Sequence, residues 1–306
     1  MNSCNLITYR SESGPRAGIV IGGDVFDPAL IFDNSAYATV QGMLDDWDEM
    51  KAHLAELSRI VAGGTLNNVP LEACELLAPL PRPATIYCVG ANFRDHVEAV
   101  AKRFGMSLDA NPHERGLDPW FFLKSPACVV GPDATVPLAT AFLDWEGELA
   151  VIIGRRARDV PVDRALDHVA GYAVANDLSA RDRAQREKVA AGSPFRFDWI
   201  GHKNFDGACP MGPWIVLADS IPEPQALAIR TSVNGTIKQE SNMREMIFTV
   251  AEQIAFLSTR ITLYPGDVVL TGTPAGTGIE TGDCLQRGDR VEVEIECVGK
   301  LVTHVR

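Results

Sequence analysis

The chain has 306 residues, 46% of them hydrophobic and 22% charged, with a formal net charge of −12. That length and apolar content support a large buried core, in one domain or in a large and a small one, and exclude a disordered chain. The acidic balance argues against a nucleic-acid surface, and any site for an acidic substrate must neutralise its own surroundings with a metal or a few placed Lys and Arg residues. The opening "MNSCNLITYRSESG" lacks the basic start and apolar core of a signal peptide, and no apolar run reaches membrane-spanning length. The expectation is a cytoplasmic protein with neither a membrane nor a nucleic-acid partner. The seven cysteines (Cys4, Cys74, Cys88, Cys128, Cys209, Cys284, Cys297) are odd in number, scattered and without a C-x-x-C pair, which fits reduced thiols. The six histidines are equally dispersed, without an H-E-x-x-H, so a zinc site is not expected.

In chain order, short strands are expected in "NLITYR", "AGIVIGG" and "DVFDP". A helical stretch follows from about Tyr37 to Ala62, where Met43, Trp47, Met50, Leu54 and Leu57 recur at spacings of three and four, closed by the glycine pair at 63–64. A Pro-rich linker over 66–83 divides a small N-terminal α+β domain, 1–75, from a larger domain, 76–306. Beyond it β signals dominate: "TIYCVG", "WFFL", "ACVVG", "ELAVIIG", "VAGYAVAND", "WIVLA", "LAIRTSVNG", "DVVLTG" and "RVEVEIECVGKLVTHV" are β-branched or alternating runs separated by Gly, Pro and Asp. Helical patterns are confined to "NFRDHVEAVAKRFG" and "MREMIFTVAEQIAFLST". This is an α+β pattern, mainly β, rather than a doubly wound one, and no Rossmann or P-loop glycine pattern occurs.

Within "FLDWEGELAVIIG", Glu146 and Glu148 are two residues apart, so a regular strand aims both carboxylates at one face with Gly147 between them. By itself that spacing fits a solvent-facing strand better than a metal site, because charges usually sit in water. Downstream, "GYAVANDLSARD" delivers Asp177 where an apolar strand breaks into a polar turn. Three carboxylates without sulfur favour a hard cation, Mg²⁺, Mn²⁺ or Ca²⁺.

The ordered set "VGANFRDHVEA", "FFLKSPACVVGP", "DWEGELAVIIG", "GYAVANDLSARD", "HKNFDGACPMGPWIV", "VNGTIKQE" and "GDVVLTGTPAGTG" resembles the fumarylacetoacetate hydrolase family across about 80–306. The nearest likeness is to its branch of acylpyruvate hydrolases and 2-hydroxyhepta-2,4-diene-1,7-dioate isomerases. The resemblance implies a mixed β-roll with flanking helices behind a small N-terminal domain, a homodimer, and C–C cleavage or rearrangement beside a 2-oxo acid with a divalent cation, Mg²⁺ or Mn²⁺. It implies Glu146, Glu148 and Asp177 as metal ligands and His96 as the catalytic histidine. Lys203 is implied to meet the substrate or its developing charge, and Thr273 to lie near the substrate carboxylate. Arg181 is implied to orient ligand or carboxylate.

Two positions depart from the family pattern. Relatives often place a glutamate three residues after the histidine, where this chain has Ala99. Glu98, at +2, is rotated by about 200° on a regular helix and is not expected to pair with His96. The glutamine often found seven residues after Asp177 is replaced by Ala184, with Gln185 adjacent. The long connection 104–119 is a lid candidate that could bring His113 or Glu114 to the site. Trp199 and Trp214 fit core packing or a pocket wall.

The expected reaction is cation-dependent hydrolysis of an acylpyruvate-type 2,4-dioxo acid to pyruvate and a carboxylic acid, with His96 activating water and Lys203 neutralising charge. Decarboxylation or isomerisation of a related 2-oxo acid is the alternative. A cation-stabilised binding protein without catalysis is a third reading, from another class.

Overall fold

A computed structural model describes residues 4–61, 66–107, 112–190 and 192–306. The N-terminal part comprises β1 (Cys4–Ser11), β2 (Gly14–Ile21), β3 (Asp24–Phe26), α1 (Pro28–Ile31), α2 (Val40–Asp45), α3 (Trp47–Val61), β4 (Val69–Pro70) and β5 (Leu76–Leu77). The stretch expected as one helix from Tyr37 is divided at Asp46, yet Met43, Trp47, Met50, Leu54 and Leu57 are all buried, as their spacing requires. Its expected closure at 63–64 lies outside the described residues.

The larger part contains β6 (Ile86–Gly90), α4 (Arg94–Phe104), β7 (Trp120–Lys124), β8 (Val129–Val130), β9 (Ala134–Val136), β10 (Leu143–Asp144), β11 (Gly147–Ile153), β12 (Val169–Asn176) and β13 (Ser179–Ala180). It continues through α5 (Trp199–Lys203), β14 (Cys209–Leu217), β15 (Ala228–Val233), β16 (Thr236–Asn242), α6 (Val250–Arg260), β17 (Val268–Leu270), α7 (Gly278–Thr281), β18 (Arg290–Ile295) and β19 (Gly299–Val305). The helix expected from "MREMIF" starts only at Val250, because Thr249 and Glu252 form a reciprocal capping box there.

The larger sheet runs β4-β3-β2-β1-β14-β12-β11-β17-β6-β7, with β5 on β1 and β8 on β14. The N-terminal hairpin thus joins the main sheet, Asn5 and Leu6 pairing with Val216 and Ile215. A second sheet, β16-β15-β18-β19-β9, packs against one face of the first. Most ladders are antiparallel, but β17–β6, β14–β8 and β19–β9 are parallel, so the roll is mixed.

Strand periodicity divides the core. On β11, Ala150 and Ile152 join the cluster beneath α2 and α3, while Leu149, Val151 and Ile153 join the cluster shared with the second sheet and α6. On β12, Ala173 and Ala175 face the first cluster, Tyr172 and Val174 the second. Both central strands are therefore buried on two faces, and a carboxylate carried on either is placed in the protein interior. Among the described residues no helix is long and apolar enough to cross a membrane.

Candidate active site

Glu148 shares the face of Ala150 and Ile152, and Asp177 continues the face of Ala173 and Ala175. Gly147 pairs with Asn176, so Glu146 lies opposite Asp177, whose backbone N–H donates to Glu146 O at 2.8 Å. Glu146 precedes the first residue of β11, and the strand is interrupted at 145–146, yet the cross-strand register keeps its carboxylate beside the others. One carboxylate oxygen from each of Glu146, Glu148 and Asp177 lies within 4.8 Å of the other two, and all three residues are buried. Gly147 turns the opposite way. A Cβ on it would meet Thr231 Oγ1 at 2.3 Å, so the residue between the two glutamates must lack a side chain for β11 to sit on the second sheet.

Three cations surround this floor. Lys203 Nζ, at the end of α5, donates to Glu146 Oε2 and Asp177 Oδ2, both at 2.6 Å, and lies 5.1 Å from the centre of the Phe122 ring. Lys124 Nζ, at the end of β7, donates to the other Asp177 oxygen and to Lys203 O at 2.7 Å. Arg181 donates through Nε to Asp144 Oδ2 at 2.8 Å and through Nη2 to Glu146 Oε1. Burial alone would raise Glu146, but Lys203 and Arg181 overcome it and hold this carboxyl well below its usual range. The same attractions, against burial, raise Lys203 and Arg181 further. His202, beside Lys203, is pushed down to about 3 by burial and by that ammonium, so it is neutral.

Glu148 differs from its neighbours. Its Oε2 accepts from Gly272 N at 2.7 Å, a backbone amide presented by a residue at φ +89°, but no cationic side chain pairs with it among the described residues. Burial, Asp177 and Glu146 together push it well above the ordinary carboxylate range. Four buried carboxylates (Asp144, Glu146, Glu148, Asp177) thus meet three cations (Lys124, Arg181, Lys203), and the unmatched charge falls on Glu148. A hard divalent cation fits: the donors are oxygens, they converge, and one lacks a counter-charge.

His96 stands on α4, whose start is anchored by Asn92. That side chain donates to Thr271 O at 2.8 Å and to Phe248 O at 3.0 Å and accepts from Phe248 N at 2.8 Å. The helix is regular, and Glu98 is exposed and does not pair with His96, although both line one cavity. The partner of His96 comes instead from α7: Nδ1 contacts Glu280 Oε1 at 2.5 Å. Glu280 is fixed by Gly276 N on Oε2 at 2.6 Å and Thr277 Oγ1 on Oε1 at 3.0 Å. A carboxylate on Nδ1 selects the tautomer that carries its proton there, which leaves Nε2, without a protein partner among the described residues, to offer a lone pair. When protonated, His96 is close enough to favour the charged form of Glu146, and its ring lines a cavity of about 490 Å³ with Arg94, Val97, Met106 and Ile247.

The remaining expected residues are placed as follows. Thr273 Oγ1 donates to Gly147 O at 2.9 Å and accepts from Gln239 Nε2 at 2.8 Å, which puts it between the two glutamates. Gln185 is exposed and accepts from Arg196 at 2.6 Å. His113 reaches Glu252 at 3.1 Å at the start of α6, Glu114 is exposed, and 108–111 of the expected lid lie outside the described residues. Trp214 donates to Val298 O at 2.7 Å as a packing residue, whereas Trp199 is partly exposed and stacks on Phe122. Sequence reasoning did not single out Lys124, Gln239 or Glu280. A lysine ending the apolar run "WFFLK" was the available signal for the first, while Gln239 lies in the polar strand β16 and Glu280 in the short helix α7, with no local signal.

These features are those of the fumarylacetoacetate hydrolase family, and the chain belongs to it. The family model described as "Fumarylacetoacetate (FAA) hydrolase C-terminal" matches residues 85–306, and "Fumarylacetoacetase N-terminal domain 2" matches 29–82. Human mitochondrial oxaloacetate tautomerase FAHD2A is 35% identical over 313 residues, covering 98% of this chain and 91% of that protein. The crystal structure of 2-hydroxyhepta-2,4-diene-1,7-dioate isomerase from Mycobacterium marinum superposes with TM-score 0.71 at 29% identity over 99% of this chain and 98% of that one. Maleylpyruvate hydrolase from Sphingobium sp., solved with manganese(II) and pyruvate, gives TM-score 0.73 at 28% identity over 98% of each chain.

Proposed function

We propose that this chain is a divalent-cation-dependent enzyme that shifts a proton between carbon and oxygen of a short 2-oxo dicarboxylic acid, as a keto–enol tautomerase or isomerase. The observation that carries the reading is the bare Nε2 of His96, backed by Glu280 at 2.5 Å and lining a cavity, beside a buried carboxylate cluster that lacks one counter-charge. Glu146, Glu148 and Asp177 would hold Mg²⁺ or Mn²⁺, which when bound supplies Lewis acidity toward the substrate's oxygens. His96 Nε2 takes the proton from the carbon beside the 2-oxo group, the C–H electron pair becomes C=C, and the carbonyl pair moves to oxygen. The same nitrogen then returns the proton to that oxygen. Lys203 and Arg181 keep the site from repelling a dianion by neutralising Glu146 and Asp177. The 35% identity to an oxaloacetate tautomerase along nearly the whole chain supports this choice.

Acylpyruvate hydrolysis is the second reading, favoured by the likeness to maleylpyruvate hydrolase. There the same Nε2 removes a proton from water, and Glu280 holds the ring. Both readings are tested in one preparation with added Mg²⁺ or Mn²⁺ and a chelator control. Ketonisation of enol-oxaloacetate is followed by absorbance, and pyruvate release is followed over a series of acylpyruvates. Ketonisation no faster than in buffer with metal removes the first reading, and pyruvate release then establishes the second. Ligand binding without either reaction would return the chain to the non-catalytic class.

A homodimer is part of the same proposal. Trp199 stacks on Phe122 and edges Trp120, and Phe195, Phe197 and Ile200 nearby are 57–71% exposed, an apolar patch of the kind that marks a subunit contact. Sedimentation velocity of Ile200→Ser beside the parent protein tests it, and a monomeric parent would exclude it.

A further inference from the structure

We infer that Asp144 is a positioning residue that holds the base and the cation seat in one alignment. The inference rests on the reading of His96 as the proton carrier. Asp144 has no exposure to solvent and spends its carboxylate on two different elements. Toward α7, Oδ1 accepts from Gly278 N at 2.6 Å and Oδ2 from Ile279 N at 3.0 Å. Toward the acidic floor, Oδ2 accepts from Arg181 Nε at 2.8 Å, and Oδ1 is also bonded to Trp145 N at 2.8 Å.

Each element leads directly to one half of the chemistry. The residue after Ile279 is Glu280, the carboxylate on His96 Nδ1. The other arm of the Arg181 guanidinium lies on Glu146. One carboxyl group therefore sets both the distance of Glu280 from α4 and the orientation of the guanidinium that neutralises a proposed metal ligand. The packing leaves it little slack, because a Cβ on Gly278 would meet Asp144 Oδ1 at 2.7 Å and Asp283 O at 2.3 Å. The residue precedes Glu146 by two positions, but all of its acceptor directions are used by N–H donors, so its role is to orient and not to ligate.

Asp144→Asn tests this. The amide keeps the size of the side chain but puts an N–H₂ either against Arg181 and the Ile279 amide or against the Gly278 and Trp145 amides, so an α7 contact is lost in both placements. The expected result has three parts, all in the intact chain. Cation affinity by calorimetry falls about 10–100-fold, the scale for losing a residue that orients metal ligands. Turnover kcat falls by a similar factor with KM changed less. The ¹⁵N NMR signals of His96, assigned by their loss in His96→Ala, move from the Nδ1–H tautomer toward a mixture, although Asp144 does not touch the ring. If the Asn variant does not accumulate folded, Asp144→Ala carries the same readouts without the added donor. A lowered melting temperature with affinity, kcat and His96 signals unchanged overturns the inference. So does movement of only one readout, of metal or of imidazole, because the coupling would then be absent. Should the parent protein show no turnover, the proposed function fails, while affinity and the His96 signals still decide the role of Asp144.

Discussion

The cation seat and the base are supported in different ways. Glu148 sits within β11 and Asp177 directly after β12, strands paired on both edges and buried on both faces. His96 rides on α4, a helix that fully buries only Ala101 among its residues, and meets its partner from the four-residue α7. A cluster of like charges needs a rigid frame, since any relaxation would let the carboxylates separate into water. A proton carrier needs access to substrate, and its helix accordingly lines a cavity. Changes in the floor should act through charge and changes in the wall through alignment.

The largest effect that would separate the two regions is expected from Glu148→Gln. Because this carboxylate has no cationic partner among the described residues, its loss should leave the fold intact while bound metal falls to near zero by elemental analysis. Turnover should drop on the order of 10³-fold, matching several kcal/mol of Lewis-acid stabilisation. Retained stoichiometric metal would remove Glu148 from the ligand set. On the wall, His96→Ala is expected to lower kcat by about 10²–10⁴-fold while metal content is unchanged. A parallel loss of metal would mean that the two regions are not separable in this way.

Lys124→Met probes the floor without replacing a proposed ligand, through the bond of Lys124 to Asp177. It leaves Asp177 with Lys203 as its remaining cationic partner in a buried setting, and urea unfolding of the metal-free protein should show a loss of about 3–5 kcal/mol, partly recovered on adding Mg²⁺. An unchanged midpoint would show that Lys203 alone satisfies Asp177. The smallest effect is a pH slope. Glu148 is raised well above its ordinary 4.5, so between that value and its folded pKa the metal-free site carries a proton that the cation must expel. Affinity should therefore rise with pH, by about tenfold per unit, and level off once Glu148 is ionised. Calorimetry in buffers of different ionisation enthalpy should count about one proton released; none would mean that Glu148 is already ionised.

Much of the floor was legible in the chain itself. Period-two geometry put Glu146 and Glu148 on one face with Gly147 opposite, and the apolar runs around Asp177 placed it at a strand end. Helical geometry likewise excluded Glu98 as the partner of His96, as α4 confirms. The division of the Tyr37–Ala62 stretch and the late start of α6 were not legible, because turns and capping pairs cut across an otherwise continuous apolar period.

What the sequence determined by itself was the set of faces: which side chains leave a strand or helix together is a property of the backbone repeat and needs no other part of the chain. What only the tertiary structure decided was the pairing across faces. Glu280 lies 184 residues from His96, Lys124 53 from Asp177, and Asp144 134 from the amide of Gly278. No local period links positions so far apart, and each is a polar residue whose charge is useful only after the packing of two sheets has removed water from around it.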